Sequence, residues 1–232
     1  HSKGEVSIQE LVDRHPDVSS MTLRRDLAHL ERLGRLVRVR GGARSLAQLA
    51  MLKEPVYTQR QAENAHAKQI IAEKAVRLIE PGRSIFIDSG TTCMALAKAI
   101  PDQNLFVLTA APNIAIELSA NPNIKINLSG GQLNRETLSL SGFNAFEYVK
   151  TLNVELAFIA TSAFSLATGF SCGEYYEAEL KRLIIRRAQK VVMLMDSSKI
   201  NTSLPYTFSR LNKVNVLVTD APLPDDYQKA LR

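Results

Sequence analysis

The residues with the clearest chemical potential form a polar loop, Asp88-Ser89-Gly90-Thr91-Thr92, between the apolar run "IFI" and a helical pattern. Gly90 lets the backbone come close to a bound group. The hydroxyls of Ser89, Thr91 and Thr92 can donate hydrogen bonds, and the amino terminus of the following helix favours negative charge. Asp88 would repel a phosphate, so we expect it to face sugar hydroxyls or a basic side chain. The pattern predicts an anion-binding loop, with an ordinary polar helix cap as the alternative.

Two further polar loops follow predicted strands. Gly130 and Gly131 form a tight turn in "NLSGGQL", and Asp196 and Lys199 follow the apolar run of "LMDSSK". A lysine can bind a phosphate, and an aspartate can accept hydrogen bonds from hydroxyls. These two residues therefore join the predicted site, and the alternative for them is a local surface ion pair of little energetic weight.

A fourth segment, "CGEYYEAELKRL", supplies Glu174 and Tyr175 as candidates for the mouth of the same site. Glu177 and Lys181 lie four residues apart, so they either reach the pocket or pair along an exposed helix face. We favour the exposed pair for these two residues.

The elements that must position these loops begin at about residue 66, where apolar runs alternate with helical patterns. Strands that are apolar on both faces and alternate with helices indicate an α/β fold with a mostly parallel sheet covered on both sides. In such sheets the loops after the strands meet at one edge, where ligands bind. The predicted strands are "SIFID", "LFVLT", "IKINL", "VELAFIA", "VVMLM" and "VNVLVT".

The first 45 residues follow a different pattern. Ser7 and Glu10 form a capping box at the start of "SIQELVDRH", and Pro16 ends that helix. Ser19 caps a second helix that we expect to end at Gly34. Its buried stripe is predicted to consist of Leu23, Leu27, Leu30 and Leu33. The alternation of apolar and basic residues in "RLVRVRGGARS" around a Gly-Gly turn then predicts a two-stranded wing.

Positive charge is concentrated in this segment. Between Ser19 and Arg44 there are seven arginines against Asp26 and Glu31, whereas the whole 232-residue chain has a net charge of +6. In a helix-turn-helix module the first residues of the second helix contact base edges, and a basic wing can reach phosphates or the minor groove. A solvated basic helix is the alternative. The residues predicted to contact double-stranded DNA are Ser20, Met21, Thr22, Arg24, Arg25, Arg38, Arg40 and Arg44.

The stretch "VSSMTLRRDLAHLERLGRLVRVRGGA" closely resembles the amino-terminal signature of the DeoR family of bacterial transcriptional regulators. The motifs "DSGTT", "SGG" and "DSSK" are similar to that family's sensor domain. The resemblance implies a sugar-phosphate-responsive regulator, usually a repressor, with a sensor fold similar to ribose-5-phosphate isomerase. It also implies that Lys68 and Lys199 are effector-response positions, and Arg60, eight residues before Lys68, is a plausible basic partner.

Two features depart from the family pattern. A winged module needs a helix before "SIQELV", and only a few residues precede it here, so a truncated module or a missing first helix is expected. The segment "TAAPN", residues 109–113, lacks the common Asn-Ser pair, and Ala110 and Ala111 cannot donate side-chain hydrogen bonds. The identity of the effector is therefore left open.

Taken as a whole, the chain is predicted to contain a DNA-binding domain over 1–45, a linker over 46–65 and an effector-sensing domain over 66–232. With 45% hydrophobic residues and no apolar run of membrane-spanning length, it is expected to be a cytoplasmic homo-oligomer. Cys93 and Cys172 match no metal spacing and are expected to be free thiols. No cofactor or metal is expected.

Three functions remain open at this point. A regulator that binds an effector without converting it accounts for both halves of the chain. A sugar-phosphate isomerase-like enzyme needs a positioned base, for which Asp88, Asp196 and Glu174 are formal candidates, but no histidine follows His66. A structural DNA-binding protein with an inert second domain leaves the clustered loops unexplained. We therefore expect a regulator and not an enzyme.

Overall fold

The computed structural model describes residues 5–32, 36–39, 41–45 and 54–230. The chain divides into two compact units, a first unit His1–Glu54 and a second unit Pro55–Arg232. Residues 55–65, which the sequence assigns to a linker, therefore belong to the second unit. They contain a six-residue helix that is too short to show a clear apolar period.

The first unit contains two helices and three short strands within the described residues. These are β1 (Glu5–Ser7), α1 (Ile8–Arg14), α2 (Ser20–Arg32), β2 (Leu36–Val39) and β3 (Gly42–Ser45). Strands β2 and β3 form the predicted antiparallel wing, and β1 pairs with the other edge of β3. The wing is confirmed, whereas strand β1 was not expected from the sequence.

Side-chain caps begin both helices of the first unit. Ser7 Oγ accepts from the Glu10 amide at 3.1 Å, and Glu10 Oε2 accepts from the Ser7 amide at 2.9 Å, which confirms the capping box. Ser19 Oγ accepts from the Thr22 amide at 3.2 Å and caps α2 as predicted. Because these bonds satisfy amides that helix geometry leaves free, they set where each helix starts.

The leucine stripe of α2 is only partly buried. Leu23 and Leu27 are 9% and 6% exposed, but Leu30 is 38% exposed, and the expectation that it is buried is wrong. Helical spacing predicts the direction of a side chain and not how far the packed surface extends along the helix. Leu33 and Gly34 lie outside the described residues.

In the second unit, helices and strands alternate over most of its length. The elements are α3 (Tyr57–Ala62), α4 (Ala65–Ala75), β4 (Ser84–Ile87), α5 (Thr91–Ala99), β5 (Leu105–Thr109), α6 (Pro112–Leu118), β6 (Ile124–Leu128), β7 (Gln132–Asn134), β8 (Ser139–Ser141), α7 (Phe143–Lys150), β9 (Val154–Ala160), β10 (Ala163–Ser165), β11 (Gly169–Cys172), α8 (Tyr175–Arg187), β12 (Ala188–Met195), β13 (Tyr206–Ser209), β14 (Val216–Thr219) and α9 (Asp225–Ala230).

Within residues 54–230, six strands form one sheet in the order β14-β12-β9-β4-β5-β6, and every neighbouring pair is parallel. Strand β4 lies inside this sheet, and Ile85, Phe86 and Ile87 are fully buried. Ile85 and Ile87 pack into the core on one face and Phe86 into the core on the other. The predicted sheet, apolar on both faces and covered by helices, is confirmed.

The small antiparallel elements were not foreseen. Strands β7 and β8 form a hairpin, and β10, β11 and β13 form a separate sheet in which Phe164 and Phe170 stack with ring centroids 4.1 Å apart. These strands are three or four residues long, so they are too short to show an alternating pattern.

Candidate functional site

The predicted anion loop follows β4 at the carboxyl edge of the sheet, and all of it is buried. Asp88 is 2% exposed, Ser89 3%, Thr91 8% and Thr92 7%. Gly90 has a φ of 110°, a value that a residue with a side chain rarely adopts, and it is the N-cap of α5.

No side chain caps helix α5. The hydroxyls of Ser89, Thr91 and Thr92 are therefore not spent on a helix cap, which was the alternative explanation for these residue types. The first amides of α5 also lack intrahelical acceptors, as in any helix. The loop thus combines buried hydroxyls with free amides at a position where helix geometry favours an anion.

Asp88 faces a basic side chain, which is one of the two kinds of partner expected for it from the sequence. Its Oδ2 accepts hydrogen bonds from Lys181 Nζ and from the Ala160 amide, the latter at 3.0 Å. Lys181 Nζ also lies 3.1 Å from Glu177 Oε1 and donates to the Ala160 carbonyl at 3.1 Å. This buried charge cluster, defined as Asp88, Glu177 and Lys181, joins the ends of β4 and β9 to helix α8.

The expected exposed pair of Glu177 and Lys181 is therefore wrong. Glu177 is 8% exposed and Lys181 only 3%, because this face of α8 packs over the end of β9. The spacing of four residues is the same on either face of a helix, so spacing alone does not separate a solvated pair from a buried one.

The charge balance of this cluster is set by its two carboxylates. Burial by itself would lower the pKa of Lys181, but Asp88 and Glu177 outweigh it and raise that pKa above its ordinary value. Lys181 therefore stays protonated and offsets one of the two negative charges of the cluster. Its contact with Asp88 lowers the repulsion that this carboxylate would exert on a phosphate at the neighbouring loop.

A second group of charged residues surrounds Lys68 on α4. Lys68 is 6% exposed, and its Nζ donates to the backbone carbonyls of Arg60 and Glu63. Burial lowers its pKa; Asp196 opposes this shift, while the nearby charge of Lys199 adds to it. The structure therefore brings together four residues that the sequence places in one site: Arg60, Lys68, Asp196 and Lys199.

Asp196 and Lys199 follow β12 as predicted. Asp196 is 2% exposed, and its Oδ1 accepts from the Ser198 amide at 3.1 Å and from Asn64 Nδ2 at 3.4 Å. The Lys199 ammonium lies 3.8 Å from Asp196 Oδ2, so the local ion pair that was the alternative reading is present. The Lys199 side chain is 27% exposed, which leaves its ammonium accessible to an anion.

Two polar side chains that the sequence did not single out lie beside Arg60. Tyr57 on α3 is 6% exposed, and burial raises the pKa of its phenol, whereas the neighbouring Asn113 lowers it. The phenol oxygen of Tyr57 and the amide N and O of Asn113 have no hydrogen-bond partner among the described residues. The only signal in the sequence was the polar residue Asn113 after a strand, within "TAAPN".

The glycine loop after β6 has a structural role. Gly131 has a φ of 105°, and a Cβ there would lie 2.3 Å from the Ser141 carbonyl oxygen. Gly131 therefore permits the close approach of the β7–β8 hairpin. Gly130 also has a positive φ, of 70°, and is exposed.

The remaining two candidates lie at the amino end of α8. Glu174 is the N-cap residue of this helix but does not cap it through its side chain. Tyr175 is 48% exposed and packs edge to face against Tyr176 and Tyr206. These contacts are typical of an aromatic cluster on the protein surface and not of the wall of a ligand pocket.

In the first unit, the exposed side of α2 carries the predicted DNA contacts. Ser20, Arg24 and Arg25 are exposed, Met21 is 77% exposed, and Thr22 is partly buried with its hydroxyl 2.9 Å from Ser19 Oγ.

Of the three wing arginines predicted to contact DNA, the structure describes the side chain of Arg38. Arg38 is exposed, but its Nε is 2.9 Å from Glu31 Oε2, and its amide donates to the same carboxylate at 3.0 Å. The backbone hydrogen bond from Arg38 and then its guanidinium lower the pKa of Glu31. Arg40, and the side chain of Arg44, lie outside what the structure describes.

Among the described residues no group of three His, Cys, Asp or Glu side chains is placed to hold a metal ion, and no helix is long and apolar enough to cross a membrane. A cavity of about 580 Å³ lies away from the loops described above, between α8 and β13, and is lined by basic residues that include Arg186 and Lys213. Cys93 and Cys172 are buried and form no disulfide.

Family models match both units of the chain. The DeoR-like helix-turn-helix domain matches residues 1–48, and the DeoR C-terminal sensor domain matches residues 63–221. The fold and the polar sheet edge define a transcriptional regulator that joins a DNA-binding helix-turn-helix module to a sensor domain. The chain belongs to the DeoR family of such regulators.

Curated relatives agree over nearly the whole chain. The HTH-type transcriptional regulator GlpR of Haloferax volcanii is 33% identical over 97% of this chain and 87% of its own length. The regulator IolR of Bacillus subtilis is 31% identical over 97% of this chain and 89% of its own. A putative aga operon transcriptional repressor of Escherichia coli O157:H7 is 29% identical, over 99% and 86%. The relatives are named as regulators, which agrees with the family assignment of this chain.

Solved structures share the architecture at low identity. The eIF2B delta structure from Chaetomium thermophilum aligns with a TM-score of 0.51 at 13% identity, covering 70% of this chain and 58% of that one. Ribose 5-phosphate isomerase A from Neisseria gonorrhoeae aligns with a TM-score of 0.44 at 16% identity, over 59% and 54%. The first likeness shows a shared fold, and the second is too distant to carry an argument about the site.

Proposed function

We propose that this regulator represses genes of carbohydrate metabolism and that a phosphorylated sugar, bound at the carboxyl edge of its sensor sheet, controls its affinity for operator DNA. The observation that carries the proposal is the loop at α5. It presents buried hydroxyls and free amides with no side-chain cap, close to the Asp88 carboxylate, which is paired with Lys181. Such a loop suits an anion better than a neutral group.

The roles of the site residues follow from their charge and position. The amides before α5 and the hydroxyls of Ser89, Thr91 and Thr92 would bind the phosphate oxygens. Lys199, whose ammonium is accessible, would add a charge-assisted hydrogen bond. Lys68 is already bonded to two carbonyls, so it would act mainly through its positive charge.

Repression and its release by the effector are the finer parts of this proposal. One relative bears the name of a repressor, which supports the direction of control. Two winged modules of a homo-oligomer would bind two half-sites of an operator, and effector binding would change their fit. Because operator DNA is the proposed partner, we also predict that the protein is located in the cytoplasm.

A thermal-shift screen tests the proposal, because a molecule that binds only the folded state must raise the melting temperature. The panel would contain glucose 6-phosphate, fructose 6-phosphate, ribose 5-phosphate, the free sugars and inorganic phosphate. We expect at least one sugar phosphate to raise the melting temperature more than its free sugar or phosphate does.

Two variants locate the binding. Lys199→Ala should reduce the stabilisation by that sugar phosphate, whereas Lys213→Ala should not, because Lys213 is an exposed cation that precedes β14 at the opposite end of the strands. A panel without any stabilising sugar phosphate, or equal responses of both variants, contradicts the proposal. Turnover of a panel member by the purified protein would instead favour an isomerase-like enzyme.

A further inference from the structure

The buried polar atoms of Tyr57 and Asn113 require an explanation that the anion loop does not supply. Within the described part of the chain, neither the phenol oxygen of Tyr57 nor the amide N and O of Asn113 has a hydrogen-bond partner. Leaving such groups buried and unpaired costs free energy, so native proteins keep few of them. Unpaired polar groups on two adjacent side chains therefore indicate that the two residues share a function.

The two side chains lie next to each other. Burial raises the pKa of the Tyr57 phenol and a hydrogen-bonding interaction with Asn113 lowers it, so the two side chains are neighbours, although their geometry falls short of a regular hydrogen bond. Tyr57 is held in place by the rest of α3, because its amide donates to the Glu136 carbonyl at 2.8 Å. Tyr57 is only 6% exposed and its phenol oxygen is buried, so this oxygen is not a solvated surface group.

The pair also lies beside the predicted effector site. Helix α3 packs on α5, the helix that follows the anion loop. Asn113 lies in the first turn of α6, directly after β5, which is the neighbour of β4 in the sheet. Arg60 affects the pKa values of both Tyr57 and Lys68, so the pair adjoins the Lys68 group as well.

The chemistry of the pair selects a class of partner. A phenol and a primary amide are uncharged, and each can both donate and accept hydrogen bonds. A sugar hydroxyl has the same dual character, whereas a phosphate only accepts at its ionised oxygens. The pair therefore suits the hydroxyl-bearing part of a ligand whose phosphate is bound elsewhere.

We propose that Tyr57 and Asn113 form a hydroxyl-recognition subsite, which hydrogen-bonds the sugar portion of the effector and discriminates among sugar phosphates. This inference rests on the proposed function, since it assigns a second part of the same effector to a second part of the same sheet edge. It adds residues that determine which sugar is accepted.

The experiment compares wild type with Tyr57→Phe and Asn113→Leu, which remove the polar atoms and nearly keep the side-chain size. Because neither polar group is paired in the unliganded protein, the melting temperature without ligand should not fall in either variant. The matched control is Tyr227→Phe. The phenol of buried Tyr227 bonds Asn201 Oδ1 at 2.5 Å, so its loss should lower the melting temperature by about 2–4 °C.

Binding is then measured by calorimetry for the sugar phosphate that stabilises wild type, together with inorganic phosphate. Each subsite variant should weaken the sugar phosphate about 3- to 10-fold, the range for one neutral hydrogen bond, and leave phosphate unchanged. The pairs glucose 6-phosphate with 2-deoxyglucose 6-phosphate, and ribose 5-phosphate with 2-deoxyribose 5-phosphate, should be discriminated less well by a variant than by wild type.

The outcomes separate this subsite from the proposed function. If wild type responds to a sugar phosphate and both variants bind it equally well, the polar atoms serve only ordered water and the subsite is overturned. A lower melting temperature without ligand, combined with unchanged binding, assigns the two residues a structural role and also overturns it. If no sugar phosphate stabilises wild type, the proposed function fails and the subsite fails with it.

Discussion

A single ammonium group, that of Lys181, holds two carboxylates inside the second unit. Asp88 and Glu177 are nearly as buried as the lysine, so each would be strongly destabilised without it. Asp88 also fixes the loop that follows β4, because it accepts from the Ala160 amide. The position of the anion loop therefore depends on a residue 93 positions further along the chain.

The substitution Lys181→Met tests this dependence. It keeps most of the side-chain volume but removes the cation that the buried Asp88 carboxylate contacts, so we expect it to lower the free energy of unfolding by about 3–5 kcal/mol. Urea denaturation followed by circular dichroism measures the loss. Lys150→Met is the control, because Lys150 pairs with Glu147 on the surface and should matter little. Equal losses for the two variants would refute the role of Lys181.

The sequence showed which residue types were available at the site but not how they are paired. The loop at Asp88 and the Asp196–Lys199 motif could be recognised because residue type, glycine and position after a strand coincide within a few residues. The bond from Lys181 to Asp88 joins residues that are 93 positions apart in the chain, so no local sequence pattern encodes it. For the same reason Tyr57 and Asn113 were not singled out, since neither is unusual until its burial is known.

At the level of elements, the parallel sheet and its helices were predictable because each strand is a continuous apolar run between helical periods. Helix α3 was missed because six residues complete fewer than two turns. The wing was predictable from alternation around two glycines, but β1 was not, because its pairing with β3 depends on how the chain folds back.

Helix α2 is the element on which DNA recognition depends. Arg24→Glu or Arg25→Glu should reduce operator affinity by at least about 100-fold, because each replaces an attraction to DNA by a repulsion on the exposed side of the helix. Fluorescence anisotropy with labelled operator at fixed salt measures the effect.

The control for this experiment is Arg77→Glu, which makes the same charge change at an exposed position of the second unit. A sugar phosphate should still raise the melting temperature of all three variants, which shows that the second unit remains folded. Unchanged operator affinity in the α2 variants would reject the assignment of the recognition helix.

For the molecule as a whole, the proposed function requires that the two units be coupled. Saturating sugar phosphate should change operator affinity by a coupling free energy of about 1–3 kcal/mol, or some 5- to 150-fold. Linkage requires the reciprocal effect, so operator DNA should change the affinity for the sugar phosphate by the same factor.

Lys199→Ala is the variant that separates the two functions of the molecule. It should bind operator as wild type does but respond less to the sugar phosphate, whereas Lys213→Ala should behave as wild type in both respects. Operator titrations with and without the effector measure both quantities. A normal response of Lys199→Ala would remove Lys199 from the site, and an equal loss in Lys213→Ala would reveal a general charge effect.

The burial of both thiols has a consequence for redox chemistry. Cys93 is completely enclosed, and burial raises the pKa of its thiol well above the ordinary value, so it offers little reactive thiolate at neutral pH. Cys172 is also fully enclosed. Peroxide or an alkylating reagent would therefore reach these two sulfurs only when the core opens, so oxidation of the thiols would require the second unit to unfold at least locally.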